Sequence, residues 1–240
     1  MTPQGQIDWA SFAVNVNISA PVVGHYNDPG LMRWTGTATY TVSSDDKSPA
    51  DDAPLGLSVV HTDERGDREK QWTVLTMHGL LVDPYIVESR IDDLLDGMSQ
   101  DYSHFAPLFG GDNHFHPDLA EIIEGMHSAA VLIDRVYMAE TWRGRGGVGR
   151  LLISRILRIF AESAGVVATH PFPIELFKEW DDRTGLAEHP RFAEELAKVE
   201  RTWESLGFQR YTQHCWVMDP AMRIHVDSVA RLEKTLFADT

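Results

Sequence analysis

The chain has 240 residues, 43% of them apolar and 24% charged, a balance that excludes disordered and fibrous classes and suits one elaborated domain over 1–240. Its formal charge of −15, from 21 basic against 36 acidic side chains, repels phosphate backbones and anionic lipid, so nucleic acid and membrane are excluded as partners and cationic ones favoured. No run approaches the roughly 18 apolar residues of a membrane helix. The N-terminus shows neither a basic leader nor an apolar stretch, so the cytoplasm is the expected compartment. Cys215 is the single cysteine, which leaves no intrachain disulfide and no cysteine-built zinc site.

In chain order, residues 11–20 alternate Phe12, Val14, Val16 and Ile18 with small or polar residues, the period of a half-buried strand. A second strand is predicted over 35–42, after turn chemistry at 24–30, and an exposed acidic loop over 43–54. Residues 54–62 and 71–82 read as two strands of a hairpin around the polar turn 63–70. Ile86, Ile91, Leu94, Leu95 and Met98 then predict a helix from about 86 to 105, with Asp92, Asp93 and Asp96 on its outer face. His114 and His116 alternate in the following loop. Without a nearby third ligand they make a poor site, and no metal is expected.

The stretch 128–163 organises the rest. Residues 129–138 carry Val131, Ile133, Val136 and Tyr137, types that suit a largely buried strand. After a glycine-arginine knot, Leu151, Leu152, Ile156, Leu157 and Phe160 recur at helical spacing from about 149 to 163. The knot therefore joins a strand to a helix start, where unpaired N–H groups and a partial positive charge favour an anion such as phosphate. Arg143, Arg145 and Arg150 flank it, and no carboxylate lies between Glu140 and Glu162. Gly144, Gly146 and Gly149 also satisfy GxGxxG, the dinucleotide fingerprint, but the next strand, 165–170, ends in His170 instead of an acidic residue. A proline-punctuated connection follows to 190, then a helix over 191–206, a strand over 208–218 and a last amphipathic helix around 225–237 carrying Val226, Val229, Leu232 and Leu236. That last helix is expected to cover the sheet or to pair with a second subunit as a homodimer.

The segment VYMAETWRGRG resembles the strand-loop element of the GCN5-related N-acetyltransferases, an apolar strand followed by Arg or Gln-x-x-Gly-x-Gly or Ala. Arg143 and Gly146 match its first half. The last small residue falls at Gly149 instead of Val148, so the loop is one residue longer, with Gly147 as the extra. WESLGF at 203–208 resembles the family's aromatic-x-x-Leu-Gly-Phe, and the two together span 128–218. The resemblance implies a mixed α+β fold, with a central mixed, mostly antiparallel sheet flanked by helices, and transfer of an acetyl group from acetyl-coenzyme A directly to a small-molecule or peptide amine.

On that resemblance the cofactor would lie on Tyr137, Met138 and Ala139 at the strand's end and on Arg143, Gly144, Arg145, Gly146, Gly147, Val148, Gly149 and Arg150. Asp134, within the apolar strand, and Glu140, at its end, are the candidate bases. The family's usual tyrosine acid is replaced by Trp203, whose indole is no practical proton source, so Tyr211 and Cys215 are the candidate substitutes. A missing acid also keeps open a coenzyme A-binding module without catalysis.

Overall fold

The computed structural model describes residues 7–20, 28–43, 58–62, 68–123, 127–160, 163–178 and 186–237. The predicted acidic loop and the hairpin turn fall mostly outside these residues, as does part of the connection after 170. In order, the strands and helices are β1 (Phe12–Ser19), β2 (Leu31–Ser43), β3 (Ser58–Thr62), β4 (Arg68–Val82), α1 (Ile91–Met98), α2 (Gln100–Ser103), β5 (Ala129–Met138), α3 (Val148–Phe160), β6 (Ala164–Thr169), α4 (Phe192–Glu204), β7 (Gln209–Arg210), β8 (Trp216–Met218) and α5 (Arg223–Leu236).

Among the described residues the strands form one sheet in the order β1-β2-β4-β5-β6-β8-β7, with β3 paired beside β4. Every pairing is antiparallel except β5 with β6. This is the mixed, mostly antiparallel sheet flanked by helices that the sequence resemblance implies. Parallel strands need a crossover, and α3 supplies it. Because β5 and β6 are covered on both faces, their sequences AAVLI and AGVVAT are nearly continuous apolar runs without alternation.

Two cores result. On one face Trp34, Ala38, Met77, Val131 and Ile133 pack against Leu152, Ile156 and Phe160 of α3, with Trp203 and Phe208 beside them. On the other, Leu80, Val82, Leu132, Val166 and Val217 pack against Ile91 and Leu95 of α1 and Tyr102 and Phe105 beyond it. Gly36 leaves room for Ile156, whose Cγ2 would stand 2.6 Å from a Cβ at that position.

Three predicted elements are corrected. The helix from 86 begins only at Ile91 and breaks at Ser99, whose hydroxyl accepts the Tyr102 N–H at 3.3 Å and so caps α2. Ile86 lies before it, 52% exposed. The strand at 208–218 is split, because Tyr211 and Thr212 both donate their N–H to the Cys215 carbonyl, at 2.9 and 3.0 Å, and fold the polar residues between β7 and β8 into a turn. In α5 the inward face is His225, Ser228 and Leu232, which leaves Val226 outside.

Candidate functional site

β5 is paired on both sides only as far as Ile133, which stands opposite Thr169 of β6. The register with β4 shifts between His78 and Gly79, which leaves Asp134 as the extra residue of a bulge. A bulge bends its strand and increases the local twist, so β5 leaves β6 here. Asp134 and His170 are the first residues beyond the last parallel pair, one on each lip of the resulting cleft.

Past the bulge, Asp134–Met138 keeps β4 as its neighbour and, among the described residues, has no strand on its other side. The Ala139 N–H donates to the Val74 carbonyl at 2.9 Å, so by the alternation of an antiparallel ladder Tyr137 also faces β4, while Val136 and Met138 turn their N–H and C=O groups to the open side. Of the three predicted backbone positions, Met138 alone presents its N–H to the cleft. Tyr137 and Ala139 spend theirs on the sheet. Five residues of extended chain separate the bulge from the loop, about 16 Å at strand rise.

A short 3-10 turn, Glu140–Trp142, precedes the knot. Gly144, Gly146 and Gly147 have φ of 69, 60 and 118°, the left-handed region that disfavours any side chain, and a Cβ at Gly144 or Gly146 would meet nothing within 4 Å. The backbone is therefore open to a ligand. Among the described residues nothing accepts the N–H groups of Gly144, Arg145, Gly147, Gly149 and Arg150, whereas Gly146 donates to Gly144 and Val148 to Arg145. Val148, predicted in the loop, opens α3 and buries its side chain in the core. Gly149 lets α3 close on β5, since a Cβ there would stand 2.7 Å from Met138 Sδ.

The arginines are held in place. Arg143 donates through Nε to the Met138 carbonyl at 2.9 Å and pairs with Glu175 at 2.7 Å. The carboxylate-free sequence around the knot is thus supplied with one by the segment after β6. Arg145 donates to the Thr141 carbonyl at 2.7 Å and lies 4.8 Å over the Trp142 ring, and Arg150 reaches Ser205 at 3.2 Å.

At the cleft's inner end Asp134 is half-buried, 3.5 Å from Arg135, which also stands 3.6 Å from Asp101. Burial raises its carboxyl above the usual range, against the pull of Arg135. Across the opening, the His170 ring centroid lies 4.3 Å from that of His104 and 5.4 Å from that of His214, and those two are 4.8 Å apart. Burial first, then the neighbouring imidazoles, push His170 down to about 4, with Asp101 opposing them, so it is a neutral acceptor at pH 7. Sequence reasoning noted His170 only as the end of a strand and passed over His104, His214 and Glu175. The strand end was the one visible signal.

The remaining candidates stand apart. Glu140 is exposed on the turn before the knot. The Tyr211 hydroxyl donates to the Pro107 carbonyl at 3.3 Å. Trp203 is a core residue against Phe208, and Cys215 is fully buried with its thiol pushed up to about 12, which removes it as an acid for any substrate. Folded protein at neutral pH is therefore expected not to react with iodoacetamide, and denatured protein to take up one equivalent, as mass spectrometry would read. His114 stacks near Tyr85 and His116 near Asp118, and among the described residues no group of side chains is arranged to hold a metal.

No protein-family model matches the sequence, and no curated protein matches it. Among solved structures, Arabidopsis thaliana NAA60 in complex with a bisubstrate analogue is similar over 80% of this chain and 75% of that one, at 14% identity and a TM-score of 0.32. A likeness that loose says nothing about chemistry.

Proposed function

We propose that the protein is an acetyl-coenzyme A-dependent N-acetyltransferase in which an amine attacks the thioester directly, within a ternary complex. The observation that carries this reading is the one-sided end of β5, running from a bulge at Asp134 into a glycine loop with unpaired N–H groups. The loop suits a pyrophosphate, because N–H groups at a helix start bind anions and Gly144 and Gly146 leave it clear. Arg143 would exchange Glu175 for phosphate oxygens, one charge-assisted partner for another that it can meet bidentately. The Val136 and Met138 edge suits the amides of an extended pantetheine arm, and their N–H groups are the fixed donors available to a developing oxyanion.

His170 is the base of this reading, with Asp134 on the facing lip. A neutral imidazole can take the amine's proton, whereas Glu140 lies outside the cleft. With Tyr211 and Cys215 turned elsewhere, the thiolate leaves without a dedicated acid, and a thiolate is already a fair leaving group. The acceptor is a small-molecule or peptide amine, cationic in solution and drawn by the net charge of −15, with Asp134 at the cleft's inner end and Asp101 joined to it through Arg135.

Two other readings compete. A coenzyme A-binding module without turnover follows from Trp203 standing where the family's acid is expected; His170 at the cleft favours catalysis. The dinucleotide reading of GRGGVG is disfavoured because a 3-10 turn separates β5 from the loop and β6 ends without a carboxylate. Isothermal titration decides: acetyl-coenzyme A is expected to bind and NADH not to. Tight NADH binding without heat from acetyl-coenzyme A overturns the proposal, and binding without coenzyme A release across a panel of amines leaves only the module.

A further inference from the structure

His170, His104 and His214 come from three elements that are distant in the chain: the end of β6, the residue after α2, and the turn between β7 and β8. They converge with ring centroids 4.3 to 5.4 Å apart. Their exposure is graded, because His104 and His170 are half-buried while His214 lies in solvent. No core need explains three imidazoles here. Phe172 covers His170 with its ring centroid 5.7 Å away and carries no charge.

We propose that the three histidines form a proton relay, in which His170 takes the amine's proton in the cleft, His104 receives it, and His214 delivers it to solvent. This rests on the acyl-transfer reading with His170 as base. As the amine nitrogen bonds to the thioester carbonyl carbon, the carbon–sulfur bond breaks and its electron pair leaves on sulfur as the thiolate. The excess proton on nitrogen passes to His170, through His104 to His214 and then to water, and the thiolate takes a proton from solvent. The sum is amine plus thioester giving amide plus thiol.

A base that burial has made weak must hand its proton on quickly, and the trio provides the route. Burial, with the charge of His214, also lowers His104, while Asp101 of α2 favours protonation of both inner rings. Exposure grows in the same direction, from half-buried His170 and His104 to His214 in solvent.

The test is single-turnover acetyl transfer by rapid quench, with the full chain saturated in acetyl-coenzyme A and a primary amine acceptor. His104→Gln and His214→Gln are expected to slow transfer by about 10- to 100-fold, at or below the bottom of what general base help supplies, since the base itself stays in place. Added imidazole should restore the rate in proportion to its concentration, a rescue that a merely structural role would not show. His214 is exposed, so its variant reports even where His104→Gln misfolds. Wild-type rates in both variants, or losses that imidazole leaves unchanged, overturn the relay. If these hold while His170→Gln is slow, the relay fails and the base stands. Full turnover in His170→Gln removes the base and the relay together.

Discussion

On the proposed acyl-transfer reading, replacing His170 by glutamine is expected to lower acetyl transfer by about 10²- to 10⁴-fold, the usual worth of a positioned general base, and to leave acetyl-coenzyme A affinity unchanged. Glutamine keeps much of the shape and polarity of imidazole but cannot accept a proton near neutral pH. Since His170 stands at the cleft's inner end and the glycine loop at the other, the variant separates chemistry from cofactor binding. The decisive pair of measurements is kcat with a saturating primary amine and the titrated Kd for acetyl-coenzyme A. An unchanged kcat transfers the role of base to Asp134.

A second readout follows from burial. The folded chain binds the His170 proton with a pKa of about 4 against an ordinary 6.5, so its folded pKa is depressed. Such a group contributes stability that is complete above pH 6.5 and is lost as pH falls through about 4, because only the unfolded chain takes up the proton in that window. Glutamine lacks this term. Relative to wild type, the variant's Tm should therefore improve as pH is lowered from 7 toward 4, as parallel thermal melts would show.

Gly79→Ala is expected to be the most damaging small substitution in the sheet. A Cβ there would stand 1.9 Å from the Leu132 carbonyl oxygen and 2.8 Å from two ring carbons of Trp34. The first contact is with backbone, so the strands themselves must part, and they must do so beside the bulge that opens the cleft. Overpacking of this kind costs about 3 kcal/mol or more. At roughly 2–4 °C per kcal/mol for a chain of this size, the Tm falls by about 6–12 °C. Gly111→Ala is the control, since a Cβ at Gly111 meets nothing within 4 Å, and its melt should match wild type. Equal melting of both variants would mean that β4 and β5 are not this close at Gly79.

Periodicity alone determined the central elements. The apolar run at 129–138, the glycine knot and the helical stripe after it are local patterns, and the structure has β5, the loop and α3 where they fall. Local chemistry was less informative where two signals overlapped. Ile86 continued a helical spacing that in fact starts at Ile91, and the residues around Thr212 read as strand until their hydrogen bonds to Cys215 turned them back.

The loop half of the candidate site was legible because the five N–H groups without an acceptor among the described residues and the four glycines all lie within residues 144–150. The other half was not. The cleft depends on where β6 stops pairing with β5 and on one extra residue opposite His78, neither of which a single strand's sequence encodes. Glu175 on Arg143, and His104 and His214 around His170, are brought together by the crossover, by the packing of the chain after α2 and by the β7–β8 turn, across separations that no local spacing rule spans. The sequence by itself determined where the glycine turn and the helix start fall, since glycine and helix-start chemistry act over a few residues. Only the tertiary structure decided which side chains gather where β5 and β6 part, because packing of distant elements, and not chain proximity, sets their distances.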